Sequence, residues 1–105
     1  MGLSISIVRR TVIGNMRMVI ATVDFDSTYP TGGESLTLTD LGLNNIEFIM
    51  AEPNSGYVFQ YDHANQKLKA YYGNYDQSSD GALTEVANGG DLSSVTGVRV
   101  IAIGR

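Results

Sequence analysis

The sequence predicts an all-β fold: a single-domain antiparallel β-sandwich, jelly-roll-like, with at most one short helical turn. Three observations lead there. Apolar residues recur with a period of two in short runs, and clusters of Gly, Asn, Asp and Ser part those runs at intervals of about 8–12 residues. No stretch keeps a 3.6-residue apolar period for more than a turn. The chain has 105 residues, 43% of them hydrophobic, which suits one core and leaves little room for two.

Taken in order, Leu3, Ile5 and Ile7 alternate with Ser4 and Ser6, which predicts a half-buried strand continuing toward Val12. Residues 1–14 are expected to be that N-terminal strand or an arm extending from the domain. Gly14-Asn15 is a turn signal. From Met16 to Phe25 both alternating sets are apolar, Met18 and Ile20 on one side and Val19, Ala21, Val23 and Phe25 on the other. A strand of that kind is expected to be central or covered, buried on both faces.

Asp26 to Gly33 reads as a loop, because Pro30 fixes one φ while Gly32 and Gly33 allow angles closed to other residues. Within Ser35–Gly42 a single helical turn is expected, with Thr37 or Thr39 as N-cap and Gly42 ending it. Ile46, Phe48 and Met50 alternate with Glu47, Ile49 and Ala51 until Pro53 stops the run. The plainest hairpin follows. Tyr57, Phe59 and Tyr61 should face Leu68, Ala70 and Tyr72 across a turn at Asp62–Gln66. Gly73–Gly81 is polar and loop-like, Leu83–Val86 is a short run, Asn88–Asp91 turns, and the last strand carries Val98 and Val100 on one face and Ile101 and Ile103 on the other. These runs add up to about six or seven strands.

Composition removes several functions. A net charge of −4 with 17% charged residues gives no clustered basic surface for nucleic acid. No run approaches the ~20 apolar residues of a membrane-spanning helix, and residues 3–8 do not form a secretory h-region. Cysteine is absent, so disulfides, thiolate metal sites and a cysteine nucleophile are absent too, consistent with synthesis in a reducing cytosol.

The chemistry that remains is thin. His63, the only histidine, falls at a hairpin tip beside Asp62 and Asn65. Asn74, Asp76, Ser78, Asp80 and Glu85 follow a calcium-loop spacing, but Ser79 occupies the position that requires glycine. Asp24 and Asp26 could form an acid pair at a strand end, the sole footing for a hydrolase or metal-dependent enzyme. The expectation is therefore no enzyme, no cofactor and no metal site. Tyr57, Tyr61, Tyr71, Tyr72 and Tyr75 cluster, and those not packed in the hairpin would form an interface of the kind tyrosine favours, or a sugar-stacking face.

The residues that suggest a relationship are Thr22–Ser27, Tyr29–Glu34, Leu36-Thr37, Asp40–Leu43, Gly56–Asp62, Lys67–Tyr71, Asp91–Ser94 and Val98–Val100. In these stretches, from about Val19 onward, the chain resembles small virion structural proteins of tailed bacteriophages, particularly capsid decoration (cement) proteins. The resemblance implies a jelly-roll-like β fold, a homo-oligomer (dimer or trimer), the major capsid protein as partner, and a place on the capsid exterior after synthesis in the host cytoplasm. Under it, Tyr29, Pro30, Gly32 and Gly33 would contact the partner, with Arg9 and Arg10 meeting acidic capsid patches. The alternative is a tail, baseplate or head-fibre component whose Tyr71 and Tyr75 contact carbohydrate.

Overall fold

The computed structural model describes residues 3–73 and 83–105. The chain forms β1 (Ser4–Ile13), β2 (Met16–Asp24), β3 (Glu34–Ser35), α1 (Leu38–Leu41), β4 (Ile46–Ala51), β5 (Val58–Asp62), β6 (Lys67–Tyr72), β7 (Thr84–Glu85) and β8 (Val98–Gly104). Two antiparallel sheets result. The first runs β1-β2-β8-β4; in the second, β6 pairs with β5 on one side and with β3 and β7 on the other. The expected all-β sandwich is present; β7 falls within the foreseen run Leu83–Val86, and the strand not foreseen is the two-residue β3.

Gly14 and Asn15 close the β1–β2 hairpin in two residues, with Gly14 at φ 59, an angle that suits glycine. The β1 register then shifts between Ile7 and Arg9, leaving Val8 as a bulge. One extra residue exchanges the faces of everything beyond it. Ile5 and Ile7 lie opposite Val23 and Ala21 on the inner face; past the bulge, Arg10 and Val12 point inward, and Arg9, Thr11 and Ile13 outward.

In β2 and β8 the inner residues Val19, Ala21, Val23, Val98, Val100 and Ala102 are buried, and Ile49 and Ala51 of β4 join them. The second sheet supplies Phe59, Leu68 and Ala70, with Phe25 and Phe59 stacked at 5.3 Å between the layers. Each large apolar side chain so enclosed contributes roughly 1.5–3 kcal/mol. The expectation that β2 is buried on both faces needs correction. It is central in its sheet, but Met18 and Ile20 are only half-buried, because no layer of the described chain covers the outer face.

The helical turn forms as expected. Thr37 Oγ1 accepts a hydrogen bond from Asp40 N at 3.3 Å while Asp40 Oδ2 accepts one from Thr37 N at 2.9 Å, a reciprocal capping box. Gly42 at φ 70 ends it in the left-handed conformation. The β5–β6 hairpin has the foreseen pairing, Phe59 opposite Ala70 and Tyr61 opposite Leu68. At its tip Asp62 Oδ1 accepts hydrogen bonds from the Ala64 and Asn65 amides, an Asx turn.

Candidate functional site

Of the loop residues expected to touch a partner, Tyr29 and Gly33 are buried within the fold, while Pro30 and Gly32 are half-buried. Tyr29 is fully buried, its hydroxyl donates to Glu85 Oε2 at 2.7 Å, and the Tyr29 hydroxyl oxygen accepts from Ala70 N at 3.1 Å. Burial, reinforced by Glu85, drives that hydroxyl far above the ordinary tyrosine range, so it stays protonated. Gly32 N donates to the same Glu85 oxygen at 2.9 Å, and the Pro30 carbonyl accepts from Gly33 N at 3.0 Å. Gly33 is buried at φ 104, and a Cβ there would lie 2.7 Å from the Leu68 carbonyl oxygen. Tyr29 and Gly33 therefore offer no surface to a partner. The loop ties β7 to β6 through side-chain and backbone bonds, an internal role that composition does not separate from an exposed one.

The neighbouring arginines do not form one patch either. Adjacent strand residues point to opposite faces. Arg9 projects from the outer face opposite Ile20, whereas Arg10 turns inward, donates from Nη1 to the Leu41 carbonyl at 2.8 Å and packs on Gly42. Arg10 so completes the C-terminal end of α1. Its companion in space is Arg17, which with Val12, Thr11 and Val19 lines an open groove at the hairpin tip. Val12 is 68% exposed although it points inward, so the tip of the hairpin extends past the layer that covers Val19, Ala21 and Val23.

Tyr71 is half-buried on the outer face of the second sheet, opposite Val58 and beside Gln60 and Leu83 in a shallow hollow. Tyr75, and Asn74, Asp76, Ser78 and Asp80 of the calcium-like spacing, lie outside the described residues. Glu85, the last member of that spacing, is bound to Tyr29 and Gly32. Tyr61 donates to the Leu36 carbonyl at 2.7 Å, and burial pushes its hydroxyl up to about 12. His63 is exposed at the hairpin tip with its ring edge-on to Tyr61, 5.0 Å between centroids.

The acid pair is also placed differently. Asp24 Oδ1 accepts from Gly97 N at 2.8 Å, and Asp26 Oδ1 from Thr28 N at 3.0 Å. The carboxyl that meets Asp26 is Glu34, which lies on the inner face of β3 opposite Leu68 and is 4% exposed. Burial, then the charge of Asp26, then their hydrogen bond raise Glu34 to about 7. Glu34 Oε2 has no hydrogen-bond partner among the described residues. The sequence reading passed over Glu34; the only hint was a carboxylate directly after the Gly32-Gly33 pair. Among the described residues there is no group of three or more His, Cys, Asp or Glu that could hold a metal ion.

The largest feature missed is the outer face of the first sheet. The register places Arg9, Ile20, Ile101 and Met50 in one cross-strand row and Thr11, Met18, Ile103 and Phe48 in the next. Phe48 is 46% and Met50 55% exposed. The signal was the double apolar alternation of residues 16–25, read as burial on both faces. Large contiguous apolar patches are uncommon on the surfaces of monomeric proteins. Comparison with protein-family models, with curated proteins and with solved structures finds no match.

Proposed function

We propose that this protein is a non-catalytic structural module that decorates the outside of a bacteriophage capsid, bridging major capsid subunits as a homo-oligomer. The observation that carries the reading is the end of the β1–β2 hairpin, which stands past the layer that covers the core while β2 stays paired to β8 as far as Arg17. Near its tip Val12 and Ile13 are exposed on its two faces, with Arg10 and Arg17 beside Val12. Such a tip suits an acidic, partly apolar groove between shell subunits, and repetition around a shell turns modest contacts into high avidity. The sandwich holds the hairpin base rigid, since β2 is paired on both sides.

The decisive experiment is cryo-EM of virions whose genome encodes this chain. The expected result is density for the sandwich on the capsid exterior with the hairpin tip against the shell. Absence of the chain from the capsid overturns the reading. Val12→Asp or Arg17→Glu should strip the protein from capsids without altering its circular dichroism.

A second reading, a tail, baseplate or head-fibre protein that contacts carbohydrate, is favoured by one observation. Tyr71 lies beside Gln60 in an open hollow, an aromatic face next to a hydrogen-bonding amide. Glycan-array binding lost on Tyr71→Ala supports it, and an array with no binding removes it.

A further inference from the structure

We infer that the outer face of the first sheet is a two-fold interface with a second copy of this chain. The inference deepens the oligomeric half of the proposed function and does not depend on the capsid.

The face is continuous. Met18 and Ile20 of β2, Ile101 and Ile103 of β8, and Phe48 and Met50 of β4 form an unbroken block two rows deep and three strands wide. The whole outer face, four strands about 4.8 Å apart and about six residues long, covers roughly 400 Å² in projection, of which the apolar block is about half. Two such faces together remove about 800 Å² before side-chain relief is counted, close to the roughly 1,000 Å² of a specific association.

The rim is self-complementary. Arg9 stands on the β1 edge, in the row that ends at Met50. Glu52 stands at the opposite edge, one row further, where its amide bonds the Arg99 carbonyl at 2.9 Å. Among the described residues the sole ion pair is Lys69–Asp62, so neither Arg9 nor Glu52 is held in one, although Arg99 stands beside Glu52 on the same face. A two-fold axis parallel to the strands lays β1 of one copy over β4 of the other. Each Arg9 then comes to the partner copy's Met50–Glu52 edge, and the symmetry makes that contact twice. The apolar rows meet each other between these two contacts, as in aligned sheet packing.

Sedimentation equilibrium of the intact chain, from about 1 to about 200 µM, tests this. The wild type should pass from monomer to dimer across that range. Phe48→Glu should remain monomeric throughout with unchanged far-UV circular dichroism; Met50→Ser, a milder change, should weaken the dimer about tenfold and serves if Phe48→Glu does not fold. Arg9→Glu and Glu52→Arg should each weaken it several-fold, and the double variant should return to within about threefold of wild type. A wild type that stays monomeric, a trimer, a Phe48→Glu chain (or, if that does not fold, a Met50→Ser chain) that dimerises like wild type, or a double variant no better than the singles overturns the inference. Because no capsid is present, failure here leaves the capsid reading to its own experiment.

Discussion

The two sheets share one core but finish their outer faces differently. Outside the second sheet, Gln60 and Asp62 of β5 face Lys69 and Lys67 of β6, with Val58 and Tyr71 at one end. That strand pair alternates apolar-in and polar-out, as a sheet against water does. Outside the first sheet, the corresponding positions are Met18, Ile20, Ile101, Ile103, Phe48 and Met50. One sheet is complete as a monomer, and the other is composed as though a further layer belonged on it. Burial inside the sandwich is a matter of folding; under the proposed two-fold interface, the apolar outer face is a matter of association.

The largest expected effect separates these two roles on one strand. Val100 and Ile101 are neighbours in β8, the first 1% exposed in the core and the second half-buried on the outer face. Val100→Asp places an unpaired carboxylate between the layers and should cost more than about 4 kcal/mol, abolishing the cooperative urea transition. Ile101→Asp should cost only about 1 kcal/mol in the same titration, since its side chain reaches solvent. Equal losses would show that the outer face is as much part of the core as the inner one.

Most of the architecture was legible because side-chain alternation is a local property. The hairpin at Asp62–Gln66, the Gly14-Asn15 turn, the Thr37 cap and the Gly42 stop each depend on residues within a few positions of one another. What stayed hidden depends on what comes near from far along the chain. Tyr29 looked like a loop aromatic until Glu85, 56 residues later, accepted a hydrogen bond from its hydroxyl. Arg9 and Arg10 looked like a pair until the Val8 bulge and strand geometry put them on opposite faces. The apolar outer face of β2 was visible, but whether this chain or another covers it is not a local property.

The next effect is pH-dependent and belongs to the edge of the interlayer. Glu34 rises from the usual 4.5 to about 7, so the fold favours its protonated form. Its contribution is therefore complete below about pH 4.5 and is lost as pH climbs through about 7, a difference on the order of 3 kcal/mol. Thermal melts should show stability falling over that interval in the wild type and a much flatter profile in Glu34→Gln. A wild-type profile that rises between pH 5 and 7 would contradict this placement. Asp62 and Asp91 are held below the usual 3.8 by hydrogen bonds from Asn65 and Ser93, so they remove stability only as pH falls below that value.

A smaller loss is expected at the buried Tyr29 hydroxyl. Tyr29→Phe keeps the ring but leaves Ala70 N without its acceptor and one Glu85 oxygen with Gly32 N alone. One unsatisfied buried donor and one lost charge-assisted bond should cost about 1–3 kcal/mol in urea titration. Because the affected contacts lie inside the sandwich, the concentration dependence of sedimentation should match wild type. A change in association with no change in stability would return Tyr29 to the surface role that its burial argues against.

The smallest effect tests the water-facing sheet itself. Lys69 Nζ lies 4.0 Å from Asp62 Oδ2, with the two side chains 29% and 21% exposed. Solvent screens a pair at that distance and exposure, and holding two polar side chains in register carries an entropic cost. Lys69→Ala should therefore change stability by less than about 0.5 kcal/mol in low salt, and by nothing measurable in about 0.5 M salt. The hairpin is held by the residues on its other face, Phe59, Leu68 and Ala70, all buried. A loss above about 1.5 kcal/mol would mean that the outer charges of the second sheet act as a buried network does, and the contrast between the two outer faces would weaken accordingly.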